Sequence, residues 1–237
     1  MPVTPVLLPG NMCDARLWTA QVRSTLPHAV DADFTQDENI STMAQRALAA
    51  TSGPLLPIGF SMGAIVAVEM ARQAPERIAG LILSGYNATA DLPERAAHRP
   101  IQQSEVRSGG LERVLVEELK PNYLAAQNRG NSALLELLRD MGMGLGNNVF
   151  IRQSEALRLR DDGRSVISQL DVPVLYLCGA EDTLCPPEWH ERWSAMTPCS
   201  QFETIAGAGH MLPLEAPDIF ASTIGRWFRH NVKELAQ

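Results

Sequence analysis

No stretch of the 237-residue chain approaches the ~18 uninterrupted apolar residues that a membrane-crossing helix needs, so no membrane contact is expected. The start Met1-Pro2-Val3-Thr4 lacks a basic segment followed by a long apolar one, so no secretory signal is expected and a cytoplasmic location is favoured. Basic charge is also short: 20 Lys and Arg stand against 27 Asp and Glu, a net charge of -7, with no basic run. A nucleic-acid surface is thereby disfavoured. Cysteine is sparse, and Cys13, Cys178, Cys185 and Cys199 form no C-x-x-C pair and no metal-finger spacing. Free thiols in a reducing compartment follow, with no metal expected.

What is present is enough apolar material, 45% of residues, for a sizeable core: one large α/β domain, or a core with an inserted smaller unit. Its centre is Gly59-Phe60-Ser61-Met62-Gly63, a G-x-S-x-G pattern. Before it, Leu55-Leu56-Pro57-Ile58 reads as a short buried strand, although Pro57 is unfavourable there. After it, Ala64 to Ala74 reads as a helix buried through Ile65, Val66, Val68 and Met70. A strand feeding straight into a helix needs a sharp turn, and the two glycines let the serine take a strained backbone that presents its Oγ. The alternative is a glycine-flanked helix start in which Ser61 is only an N-cap.

Pro5 to Leu8 predicts a first strand, followed by the loop Pro9-Gly10-Asn11-Met12 and a helix capped by Asp14 and running through Leu17, Trp18, Val22 and Leu26. His28 to Phe34 suits a short strand and Ile40 to Ala50 a helix. Ile78 to Ser84 suits a fourth strand, with Pro75 stopping the helix before it. Alternation of this kind predicts a parallel sheet with helices on both faces. From Ala88 to about Asp162 it fails, and helices are expected over Leu111 to Leu119, Ser132 to Leu138 and Phe150 to Leu159. The link from Met141 to Asn148 reads as a surface loop or a pliable wall over an apolar pocket. Strands resume at Val174 to Cys178 and Gln201 to Ile205, with a helix after Pro186-Pro187 between them. The loop Ala206 to His210 precedes a closing helix from Glu215 to about Leu235.

A serine hydroxyl needs a base, commonly a histidine held in one tautomer by a carboxylate. Ser61, Asp182 and His210 each fall just past the end of a predicted strand, where open parallel sheets build sites. His28, His98, His190 and His230 sit in ordinary polar or helical contexts. Glu181 is the alternative to Asp182, while Glu188 and Glu215 read as helix caps. Two oxyanion donors are also required, and the backbone N–H groups of Met62 and Asn11 are the candidates. Cys13 has no base near it and reads as a buried or pocket-lining thiol.

Four ordered stretches carry a resemblance over nearly all of the core: Leu7 to Asn11, Gly59 to Gly63, Gly179 to Pro186 and Gly207 to Glu215. The chain resembles the α/β-hydrolase fold superfamily with an inserted helical cap. The resemblance implies a mostly parallel sheet of about six strands, a core of residues 1–88 and 163–237, and a cap of residues 89–162. It also implies Ser61 as nucleophile, His210 as base, Asp182 as its partner, and Asn11 and Met62 as oxyanion donors, with no cofactor. Many relatives carry His-Gly where this chain has Pro9-Gly10. The expected activity is hydrolysis of a small, mostly apolar carboxylic ester or lactone. Alternatives are C–C bond hydrolysis of a ring-fission product, or a non-catalytic binding protein of the same fold. A menaquinone-pathway lyase is disfavoured because no basic residue stands beside Ser61 to hold an acidic substrate.

Overall fold

The computed structural model describes residues 2–119 and 123–232. Among them, six strands form one sheet: β1 Thr4–Leu8, β2 Val30–Asp31, β3 Leu55–Phe60, β4 Leu81–Ser84, β5 Val174–Gly179 and β6 Ser200–Ile205. Their order is β2-β1-β3-β4-β5-β6 and every adjacent pair is parallel. Pro57 is tolerated inside central β3 because the ladder to β4 skips it: the bridge at Leu55 and Ile78 is followed by the pair Ile58 and Ile82. A residue with no N–H loses nothing where no bond is made. β2 is only two residues long, much shorter than the expected His28 to Phe34, and it blunts that edge of the sheet.

The helices are α1 Ala20–Thr25, α2 Ile40–Ala49, α3 Met62–Gln73, α4 Pro93–Arg107, α5 Leu111–Arg113, α6 Ser132–Arg158, α7 Arg164–Ile167, α8 Pro187–Met196, α9 Leu212–Glu215 and α10 Pro217–Asn231. Side chains of the strands alternate between two cores. Leu8, Leu81, Leu83 and Tyr176 pack with α2, α3, α7 and α8, whereas Leu7, Ile58, Ile82 and Leu177 pack with α1 and α10. Burial on both faces is what near-continuous apolar strands require.

Several expectations are corrected. Asp14 caps only a 3-10 turn, Ala15–Leu17, because Trp18 is extended; α1 begins afresh after Thr19. β4 is shorter than Ile78 to Ser84, since Pro75–Arg77 forms a 3-10 turn, Ile78 makes only an isolated bridge and the continuous strand starts at Leu81. The closing helix breaks at Ala216 into α9 and α10, and its expected end near Leu235 lies outside the described residues. Between β4 and β5, α4 is a helix that apolar periodicity does not reveal, because its turns are rich in Arg, Glu and Gln and contain Pro100. The Met141 to Asn148 stretch is not a loop but part of α6. Only Gly146 leaves helical geometry there, at φ 81° and ψ 176°, and kinks the helix. Val114–Leu119, after α5, winds as a π-helix. No helix among the described residues is long and apolar enough to cross a membrane.

Candidate active site

The turn from β3 into α3 brings Ser61 to φ 53° and ψ -114°, a left-handed backbone that a non-glycine residue holds only when its surroundings impose it. Its N–H donates to the Ser84 carbonyl at 2.8 Å, tying the turn to β4. A side chain at Gly63 would overlap the Leu8 carbonyl oxygen, and one at Gly59 would strike the Ala64 backbone. Both positions must therefore be glycine for α3 to lie this close to β1 and β3. The Ser61 hydroxyl makes no capping bond, so it is not spent as an N-cap.

It donates instead toward His210 Nε2, 3.0 Å away. His210 Nδ1 lies 2.8 Å from Asp182 Oδ2. Asp182 Oδ1 accepts the N–H groups of Leu184 and Cys185, each at 2.8 Å. Burial pushes the Asp182 carboxyl upward, but the His210 ring and the Cys185 N–H outweigh it and hold the group below the usual carboxylate range. Asp182 and His210 are both buried, and Ser61 is half-buried at the mouth of this chain of bonds. The structure thus brings together the three side chains singled out from the sequence, across 149 positions between Ser61 and His210. Glu181 is turned elsewhere and accepts the Ala126 N–H at 3.0 Å.

Among the described residues, neither the Asn11 N–H nor the Met62 N–H has an acceptor, and both residues line the cavity that holds Ser61. Two unspent backbone donors beside a hydroxyl are the arrangement an oxyanion needs. The loop bearing Asn11 is braced by Gln153 of α6, which is buried; its Oε1 accepts the Met12 N–H at 2.8 Å and Asn11 Nδ2 at 3.3 Å. Met12 itself sits at φ 53°. Gln153 was not singled out from the sequence, although a signal exists: it falls three residues after Phe150 and four before Leu157, a polar group on the apolar face of its helix.

Two further residues differ from their sequence reading. Glu215 is not a helix cap. Its Oε1 accepts the Gly209 N–H at 2.9 Å, and its Oε2 accepts the Ala125 N–H and Asn128 Nδ2, each at 2.8 Å, so one carboxylate pins the His210 loop. His190 is fully buried rather than ordinary: its Nε2 accepts the Tyr86 N–H at 2.8 Å, while Nδ1 faces the Pro186 carbonyl. Burial pushes its pKa down to about 4, so the ring is neutral. Cys13 lines the cavity, and burial followed by the charge of Asp14 pushes its thiol up to about 12, too high for a nucleophile at neutral pH.

The cavity measures about 340 Å³, and Phe60, Ile65, Phe150, Leu157 and Met211 give it an apolar wall. Met141 and Met143 are not among the residues that line it. Arg95, Arg99 and Arg160 are, and His98 with them, so cationic guanidinium groups stand in the same space as Ser61, contrary to the reading that no basic group does. No group of three or more His, Cys, Asp or Glu side chains that could hold a metal occurs among the described residues.

Comparison with known proteins agrees with this architecture. The chain is 25% identical over 92% of its length to the biotin biosynthesis bifunctional protein BioHC of Cellvibrio japonicus, of which it spans about half, 46%. It is 24% identical over 83% of its length to a pimeloyl-[acyl-carrier protein] methyl ester esterase of Neisseria meningitidis serogroup C, covering 78% of that protein. A malate-bound thermophilic esterase from Thermogutta terrifontis superposes with a TM-score of 0.89 at 26% identity, over 97% of this chain and 90% of the other. With the sheet order, the serine turn and a match of residues 6–223 to the family model in hand, the chain belongs to the alpha/beta hydrolase family.

Proposed function

We propose that the chain is a serine hydrolase that cleaves a small, mostly apolar carboxylic ester or lactone through an acyl-enzyme. The observation that carries this reading is the unbroken line of hydrogen bonds from Asp182 through His210 to a Ser61 hydroxyl that faces the cavity. His210 Nε2 takes the Ser61 proton as Oγ attacks the ester carbon, and the carbonyl electron pair moves onto oxygen. The Asn11 and Met62 N–H groups receive that oxyanion, each worth ~10²–10³ in turnover. Collapse breaks the bond to the alcohol oxygen, which takes the proton from His210. Water then attacks the acyl-enzyme, giving a proton to His210, and the second collapse returns that proton to Ser61 and releases the acid. In a lactone the alcohol stays attached to the acyl chain. Asp182 remains ionised throughout and holds the imidazole orientation.

In this reading residues 89–162 are a helical cap that walls the cavity over a core of residues 1–88 and 163–237. Free thiols at Cys13, Cys178, Cys185 and Cys199 agree with a cytoplasmic setting. The Neisseria esterase, named for methyl ester cleavage, supports the reaction class. Replacing Ser61→Ala should abolish p-nitrophenyl ester turnover and fluorophosphonate labelling while leaving the melting transition in place. Retained turnover in that variant removes the mechanism.

A further inference from the structure

Arg95 lies on α4, half-buried, and lines the same cavity as Ser61. Its Nη2 donates to the Leu184 carbonyl at 3.2 Å, which holds the guanidinium against the loop that carries Asp182. Among the described residues it meets no carboxylate, and its Nε and Nη1 have no acceptor. One helical turn further on, Arg99 also lines the cavity. Arg99 shares the buried Asp91 carboxylate with Arg160, through contacts of 2.6 Å and 2.7 Å, so two guanidiniums answer one acid. Among the described residues, the Arg99 Nη1 is left without an acceptor. Two acidic side chains border the space as well. Glu94 is exposed at the rim, and Glu118 is engaged by Arg113, Gln102 and His98.

Arg95 is half-buried, so it bears no large desolvation penalty, but its unspent Nε and Nη1 edge borders the cavity beside an Arg99 and Arg160 pair that shares one acid, which leaves an excess of positive charge there for an anion to meet. The planar fork of arginine matches a carboxylate through two parallel hydrogen bonds. We propose that the substrate of the Ser61 site is an ester or lactone that carries a free carboxylate, received by Arg95 with help from the open edge of Arg99, while its apolar part lies against Phe60, Phe150 and Leu157. This rests on the hydrolase reading and adds the charge of the substrate to it. The carboxylate belongs either to the acyl part or to the leaving alcohol.

The test compares kcat/KM for monomethyl adipate with dimethyl adipate, and for the acetate ester of a hydroxy acid with the same compound as its methyl ester. The charged member of at least one pair should be preferred by about 10- to 100-fold at neutral pH, chiefly through KM, the size of a charge-assisted hydrogen bond. The pair that shows it identifies the side bearing the carboxylate. In Arg95→Met that preference should collapse toward one, and Arg95→Lys should keep part of it. A purely structural bond from Arg95 to Leu184 would instead slow both members of a pair alike. A wild-type preference at or below one, or a preference untouched by Arg95→Met, overturns the proposal and leaves the Ser61 chemistry standing. Calorimetric binding of monomethyl adipate to Ser61→Ala decides the anion site without turnover: about tenfold weaker binding on adding Arg95→Met supports it, and equal affinity overturns it.

Discussion

Replacing Gln153→Met tests whether α6 sets the shape of the oxyanion loop. The variant keeps the length and apolar body of the side chain but removes the oxygen that accepts the Met12 N–H at 2.8 Å and Asn11 Nδ2 at 3.3 Å. Met12 is buried, so its N–H would lose its partner without gaining water, a loss of about 1–3 kcal/mol. For a chain of this size each kcal/mol corresponds to roughly 2–4 °C in melting temperature. Met12 also holds φ 53°, a conformation costing about 1–3 kcal/mol that the Gln153 bond helps to maintain. Without that bond the loop is free to relax and turn the Asn11 N–H away from the position proposed for the oxyanion. Since one such donor is worth ~10²–10³, partial misplacement should lower kcat by about 10- to 100-fold with KM little changed. Gln153→Glu, which retains an acceptor oxygen, should recover much of the rate. Ester kinetics and thermal melts on the three proteins suffice. A Gln153→Met enzyme with a lowered melting temperature but the kcat of the wild type would refute the link between α6 and the oxyanion loop.

The neutral His190 predicts a pH dependence of stability. Its pKa is pushed from 6.5 to about 4 on folding, so between those values the unfolded chain binds the extra proton and stability falls as pH falls. The full loss is about 3 kcal/mol below pH 4, and it should show in denaturant titrations across this window. His190→Gln, whose amide oxygen can still accept the Tyr86 N–H, should lack that slope. Glu215→Gln leaves a single acceptor oxygen where three donors now converge, so the Gly209 N–H and the Ala125 N–H compete for it. A lowered melting temperature with a reduced kcat is expected there, and a kcat equal to the wild type's would show that the His210 loop does not depend on this carboxylate.

Much of the site is legible in the chain itself because its parts are local. The strand, glycine turn and helix around Ser61 are neighbours in sequence, and the steric exclusion at Gly59 comes from Ala64 a few residues on, although that at Gly63 comes from Leu8 on a neighbouring strand. The alternation of apolar strands with amphipathic helices likewise reports burial on both sheet faces, which is why a parallel sheet covered by helices was expected; the count of about six came from the family resemblance, and six strands form among the described residues. Local signals fail where a charged helix buries little, as in α4, and where a single residue bends a helix without ending it, as at Gly146.

What the sequence by itself determined is that Ser61, Asp182 and His210, in that order and at predicted strand ends, are the residues to propose for the site. Only the tertiary structure decided that Gln153 of α6 braces Asn11 and Met12, that Glu215 holds the His210 loop rather than capping a helix, and that Arg95 and Arg99 share a cavity with the serine. The physical reason is the same in each case. Periodicity and turn chemistry report on neighbours a few residues away, whereas a hydrogen bond between Met12 and Gln153, 141 positions apart, exists only once α6 has come to lie against the loop after β1.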